Sequence, residues 1–219
     1  MYEYLVMDLI LAVFWFILYF LRNDLRKVMV LSSLLCLPLG LSDFIFIPWY
    51  WNPQTLFNLR PGIESFIFAF LIGGCVSVLY KVLFKKKIKK LKKTKNKKHF
   101  FILFGVLLAS MVFLSFIFKM NLIYTGIISM VLGALVICLL RKDLIKESLY
   151  GGLLFLVLYI MVVLFVFVVI FPGAIGRILN HEHVLGIFVL GIQVEEYFWA
   201  FTFGALWSPL YQFLKGYFS

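Results

Sequence analysis

The chain has 219 residues, of which 64% are hydrophobic, 19% aromatic and only 14% charged, with a mean hydropathy of +1.05. A soluble domain is about 45–50% apolar, so this composition excludes one, and the length suits a single bundle of membrane-crossing helices with no separate water-soluble domain. The formal charge of +11 does not mark a nucleic-acid binder: eleven Lys fall between Lys81 and Lys98, at the end of an apolar run, where basic residues signal topology and contact with the membrane surface.

The N-terminal segment carries Glu3 and Asp8 and lacks a basic region, so it is expected to be a retained span and not a cleaved leader. Stretches long enough to cross about 30 Å of hydrocarbon run over 4–21, 28–48, 62–80, 99–118, 121–140, 149–171 and 185–214. Only the neighbourhood of Lys119–Asn121 separates the fourth from the fifth, so six spans with a broken hairpin is the competing count. With seven spans, 18 of the 21 basic residues fall on one side and only Arg60, Lys119 and Arg177 on the other. Setting aside the eleven Lys of the 3–4 connection leaves 7 against 3. The positive-inside rule then puts the N-terminus outside and the C-terminus in the cytoplasm of a cell-membrane protein.

Two motifs recur in the same order. Leu21-Arg22-Asn23-Asp24-Leu25-Arg26-Lys27 follows the first span and Leu140-Arg141-Lys142-Asp143-Leu144-Ile145-Lys146 the fifth. Ile63-Glu64-Ser65-Phe66-Ile67-Phe68-Ala69-Phe70 opens the third, and Val194-Glu195-Glu196-Tyr197-Phe198-Trp199-Ala200-Phe201 lies in the seventh. The predicted architecture is an all-α membrane protein of about seven helices, with two parallel three-helix repeats, spans 1–3 and 5–7. By residue, 1–84 is the first repeat, 85–98 a basic cytoplasmic linker, 99–118 a connecting transmembrane helix and 119–219 the second repeat.

Five of the ten carboxylates need no special explanation: Asp24, Asp143 and Glu147 accompany the basic turns, and Glu3 and Glu182 lie at the outer water boundary. Asp8, Asp43, Glu64, Glu195 and Glu196 fall in or at the edge of apolar runs, where a charge costs at least about 2.5 kcal/mol, which makes them functional candidates. Few cations share their side, namely Arg60, Arg177, His181 and His183, so several of these acids are expected to hold protons at neutral pH. Aromatic residues surround them: Trp49, Tyr50 and Trp51 after span 2, Phe66, Phe68 and Phe70 after Glu64, and Tyr197, Phe198, Trp199 and Phe201 after Glu196. An acid among such rings can protonate an alkene, and the rings can stabilise the resulting cation; the same residues also suit an interfacial belt.

These glutamate segments and Arg-Asp-Leu turns, in a chain this short, resemble the membrane lycopene cyclase domain family, with both halves in one chain. That family carries a Pro-x-Glu-Glu motif in each half; here Gln193-Val194-Glu195-Glu196 keeps both acids and Gly62-Ile63-Glu64-Ser65 keeps one. The resemblance implies a redox-neutral isomerisation in which a Glu protonates the end of a linear carotenoid and a ring closes, with no cofactor. By motif position it implies Glu64, Glu195 and Glu196 as acid and base, with Glu195 or Glu64 as donor. Asp43 joins them on spacing, and the aromatic residues Trp49, Trp51, Phe66, Phe68, Tyr197 and Trp199 complete a polyene site. The partners expected are a linear carotenoid or other isoprenoid lipid and membrane lipids.

Two other functions fit the residues. A non-catalytic carotenoid, isoprenoid or lipid-binding protein would explain Gly62, Ser65 and Gln193, and a proton-coupled transporter would use Asp8, Asp43 and the glutamates as a relay. A retinal pigment is disfavoured because span 7 has no Lys before Lys215. The odd, widely spaced Cys36, Cys75 and Cys138 indicate neither a disulfide framework nor a zinc site, and His181-Glu182-His183 reads as a solvated loop lacking a third ligand at helical spacing.

Overall fold

The structure, a computed structural model, describes residues 2–87, 89–90, 97–180 and 184–218. The expected loop His181-Glu182-His183 and part of the basic linker lie outside the described residues. In chain order the helices are α1 Glu3–Leu21, α2 Arg26–Cys36, α3 Asp43–Phe46, α4 Ile63–Leu83, α5 Lys97–Val112, α6 Leu122–Leu140, α7 Ile145–Leu164, α8 Ile175–Ile178, α9 Val194–Trp207 and α10 Leu210–Lys215. Two antiparallel pairs of two-residue strands complete the chain: β1 Lys89–Lys90 with β4 Tyr217–Phe218, and β2 Phe188–Val189 with β3 Ile192–Gln193.

Among the described residues six helical segments are long and apolar enough to cross a membrane: Glu3–Leu21, Asn23–Phe46, Ile63–Leu83, Lys98–Ile117, Leu122–Leu140 and Lys142–Ile170. Helix is what an apolar run must adopt in hydrocarbon, since every backbone N–H and C=O has to be satisfied within the segment. The fourth and fifth runs are separate helices, and Asn121 starts the latter by accepting the Ile123 N–H at 3.1 Å. Span 2 winds tighter over Leu37–Ser42, a 3₁₀ segment that contains Pro38 and Gly40.

The expected seventh span, 185–214, differs at its start. Leu190 and Gly191, with φ of 52° and 79°, form the two-residue turn of the β2–β3 hairpin. Helix therefore begins only at Val194, runs 14 residues, and resumes as α10 after Ser208-Pro209.

The chain divides into two compact units, residues 1–75 with 157–197 and residues 76–156 with 198–219. In the first, α1 buries Tyr4, Met7, Asp8, Leu11, Trp15 and Leu18, a single helical face. Leu9, Val13, Phe16, Ile17 and Phe20 are exposed, as a lipid-facing surface requires. The Gly73-Gly74 pair of α4 permits close packing: an added Cβ would stand 2.3 Å from Cys36 Cβ at the first and 2.3 Å from Ser33 Oγ at the second.

In the second unit, α5 packs on α6, and Gly204 of α9 meets α7 so closely that a Cβ would lie 2.8 Å from the Gly151 carbonyl oxygen. Lys81 and Glu147 depart from the reading of their sequence positions. Neither sits in a solvated turn. Both are buried and paired, with the Lys81 ammonium donating to Glu147 and to the Ser77 carbonyl. Gln212 donates to both Glu147 oxygens at 2.6 and 2.7 Å. Two charges too costly to bury singly are tolerated because each is the other's partner.

Candidate active site

The polar cluster belongs to the first unit, and the local fold explains how each acid is held. At the start of α4 the Glu64 side chain turns back on the preceding loop, where its Oε1 accepts the Leu56 N–H at 2.5 Å. At the start of α9 Glu195 does the same, its Oε1 accepting the Leu185 N–H at 2.8 Å. Both acids are buried, at the helix end where the backbone dipole favours negative charge.

The residue after each glutamate behaves differently. Ser65 donates its hydroxyl to Asp43, whose Oδ2 also accepts the Gly62 N–H at 3.1 Å. Glu196 accepts one phenol on each oxygen: Tyr50 on Oε1 at 2.5 Å and Tyr159 on Oε2 at 2.5 Å. When the carboxyl is ionised such bonds are charge-assisted, roughly twice as strong as neutral ones. Burial pushes the Tyr50 phenol up, and the charge of Glu196 adds to the effect, so Tyr50 remains a donor.

Acids from distant parts of the chain thus share one unit. Asp8 and Glu64 are close enough to feel each other's charge, as are Asp43 and Glu64, and Glu195 and Glu196. The Tyr4 phenol feels Asp8, Asp43 and Glu196 together. Arg60 acts electrostatically on Asp43, whereas Arg177 is engaged by Glu3 at 3.1 Å. Asp8, Asp43, Glu64 and Glu195 are buried; Glu196 alone of the five is partly exposed.

The expected aromatic residues are distributed unevenly. Phe68 tilts against Tyr4 at 6.0 Å and meets Tyr159 edge-on at 6.5 Å, and Trp51 meets Tyr4 edge-on at 4.8 Å. These rings adjoin the acids through Tyr4 and Tyr159. Phe66 packs on Gly40, Trp49 is 62% exposed, and Tyr197 donates to the Val189 carbonyl at 2.8 Å. Trp199 belongs to the second unit, stacked on Phe203 at 5.4 Å. A cavity of about 490 Å³ in the first unit is lined by Glu3, Asn52, Gln54, Arg177 and Ile178, so none of the five acids borders it.

Sequence reasoning passed over Tyr159 and read Tyr50 as one of the rings around the acids or as part of an interfacial belt, not as a hydrogen-bond donor to one of them. A hydroxyl in the middle of the apolar run of α7 was the available signal for the first, since a buried phenol needs a partner. Nothing in the sequence signals that this partner lies 37 residues on.

Comparison with known proteins adds one finding. The family model described as Lycopene cyclase matches residues 121–214, so the resemblance read from the motifs holds over that segment. No curated protein and no solved structure matches the chain.

Proposed function

We propose that this chain, whose residues 121–214 match the Lycopene cyclase family model, is a membrane enzyme that closes rings at the end of a linear carotenoid by proton transfer. That match suggests a cyclase acting on a carotenoid. The observation that carries the reading to particular residues is the double phenol clamp on Glu196, Tyr50 and Tyr159 each donating to one oxygen.

Such a clamp stabilises the carboxylate left when a carboxyl gives up its proton, and so makes Glu196 a stronger acid toward a weakly basic alkene. In the reaction, the Glu196 O–H bond breaks as a C–H bond forms at one alkene carbon, leaving a cation on its neighbour. The π pair of a second alkene closes the ring and moves the cation one step along. Loss of a proton from the adjacent carbon then forms the ring double bond. No electrons are gained or lost overall. Glu64 receives the released proton, and before the next turnover Glu64 gives one up and Glu196 takes one up, so the cycle is proton-neutral. Glu64 Oε1 is held by the Leu56 N–H, and its Oε2 has no hydrogen bond among the described residues. Glu195 stands beside Glu196 in the sequence, with its Oε1 held by the Leu185 N–H. Phe68, Tyr4 and Trp51 supply ring faces for the cation.

The architecture we infer has seven crossings, α9 and α10 together forming the seventh, built as two parallel repeats joined by the basic linker and α5. Two likenesses support it. The Arg22–Asp24 and Arg141–Asp143 pairs are both bidentate at 2.7 Å, on residues with φ,ψ of −135°,89° and −139°,78°. Each precedes a 3₁₀ turn ending in a buried Leu, Leu25 and Leu144. The back-turned Glu64 and Glu195 are the second likeness. The Lys and Arg distribution supports an outside N-terminus and a cytoplasmic C-terminus.

The test is expression in cells that accumulate lycopene, with pigments separated by chromatography. Cyclic products are expected. Unchanged lycopene in cells whose membranes contain the inserted protein would overturn the reading for that substrate.

A further inference from the structure

The glutamates that start α4 and α9 each hold a loop that turns apolar side chains outward. In the first loop these are Leu56, Phe57 and Leu59, and the Leu56 N–H goes to Glu64 at 2.5 Å. In the second, the β2–β3 hairpin and the residues just before it, they are Leu185, Ile187 and Leu190, and the Leu185 N–H goes to Glu195 at 2.8 Å. All six side chains are between 47% and 69% exposed. Neither loop is loosely held. The Thr55 carbonyl accepts the Asn58 N–H at 3.1 Å, and the Thr55 hydroxyl donates to the Leu59 carbonyl at 3.0 Å. In the hairpin the Ile187 carbonyl accepts the Val194 N–H at 3.0 Å, and the Val189 carbonyl accepts the Tyr197 phenol at 2.8 Å. Fixed backbones, with much of their polar content engaged internally, thus present the apolar groups.

Water is a poor partner for such loops: residues 184–194 include no charged side chain, and residues 53–63 only Arg60. Their height identifies a better one. At 1.5 Å per residue α4 is about 32 Å long, and Val194 to Lys215, through α9 and α10, is about 33 Å. Each length matches the hydrocarbon core of about 30 Å, so loops at these helix starts fall at its edge, on the side away from the basic linker that follows α4. There apolar side chains are drawn into the acyl chains while the backbone still meets the headgroups. From the first loop the exposed apolar surface continues along α4 through Ile63 and Ile67.

We propose that the two loops are lipid anchors. They dip Leu56, Phe57, Leu59, Leu185, Ile187 and Leu190 into the acyl chains of the leaflet opposite the basic linker, and Glu64 and Glu195 pin them from inside the protein. The contact is independent of the reaction proposed above.

The experiment uses the purified full-length chain in phosphatidylcholine bilayers, with a nitroxide attached through Phe57→Cys or Leu190→Cys. Collisions with oxygen, which concentrates in hydrocarbon, are compared with collisions with a water-soluble nickel chelate. Wild type treated with the same label supplies the background from Cys36, Cys75 and Cys138. Oxygen is expected to relax both labels several-fold more than the chelate does. Stronger relaxation by nickel at either site would overturn the proposal, and so would protection from both reagents, which a second copy or another protein covering the loops would give. Leu59→Cys or Ile187→Cys takes the place of a variant that fails to insert. The pins are read from the mobility of the same labels. Glu64→Ala should loosen the label at position 57, whereas Glu64→Gln, which keeps an acceptor for the Leu56 N–H, should leave it as it was; equal mobility in both would overturn the pinning. Absence of rings from the pigment assay alters none of these outcomes, so the anchors and the cyclase reading fail separately.

Discussion

Two helix starts in this chain, at Ile63 and at Val194, share a back-turned glutamate and then part company at the next residue. Glu64 and Glu195 both fold onto a backbone N–H of the preceding loop. After them, Ser65 donates to Asp43 while Glu196 accepts from two phenols. The lesson is that likeness of sequence here marks likeness of backbone, and the chemistry resides in the departure. A Glu at position 65 would face Asp43 with like charge; a Ser there donates to Asp43 Oδ2, and the surplus acid is carried at 196 alone.

The sharpest test of that contrast is to remove the acids. Glu196→Gln should lower ring formation at least about 100-fold, the lower range for loss of an acid–base group, and Glu64→Gln by a similar factor. Ser65→Ala should stay within about threefold, with a stability loss of about 1 kcal/mol from the missing hydrogen bond. Pigment yield normalised to inserted protein reads all three, and equal losses at 65 and 196 would erase the contrast.

Next come the phenols. Tyr50→Phe and Tyr159→Phe keep the rings and remove the donors, so each should cost about tenfold, or about 1.4 kcal/mol of barrier, with little change in thermal stability. Glu195→Gln preserves an acceptor for the Leu185 N–H and removes only a neighbouring charge; a several-fold loss is expected from the same pigment assay. Smallest of all are the two Arg–Asp turns. Asp24 and Asp143 are half exposed, so Asp24→Asn and Asp143→Asn should each shift stability by less than about 1 kcal/mol, and by similar amounts, in thermal unfolding. Markedly unequal shifts would weaken the claim that the turns are copies.

Much of this was legible in the residues. Apolar runs dictate membrane helices because hydrocarbon offers the backbone no other partner, and five intramembrane acids announce themselves by their cost. The family resemblance rests on the glutamate segments and is matched over 121–214. What escaped depended on long-range contact. Position along the chain suggests that Lys81 and Glu147 face water, and only the fold reveals that they face each other. Likewise Tyr50 and Tyr159 reach Glu196 from 146 and 37 residues away. The start of the last helix escaped for a local reason, since Leu185–Val194 is apolar enough to be helical and only its glycines betray a hairpin.

The Lys81–Glu147–Gln212 group also bears on how the polypeptide matures. A lysine destined for the interior needs its counter-ion, and Glu147 and Gln212 are synthesised 66 and 131 positions later. The end of α4 must therefore wait, its ammonium in water or among lipid phosphates, until α7 and α10 emerge from the ribosome. Replacing Lys81 by Met should let that segment settle early, yet leave Glu147 stranded at a cost of about 3–5 kcal/mol, so that the finished protein is weaker although its first helices insert more readily.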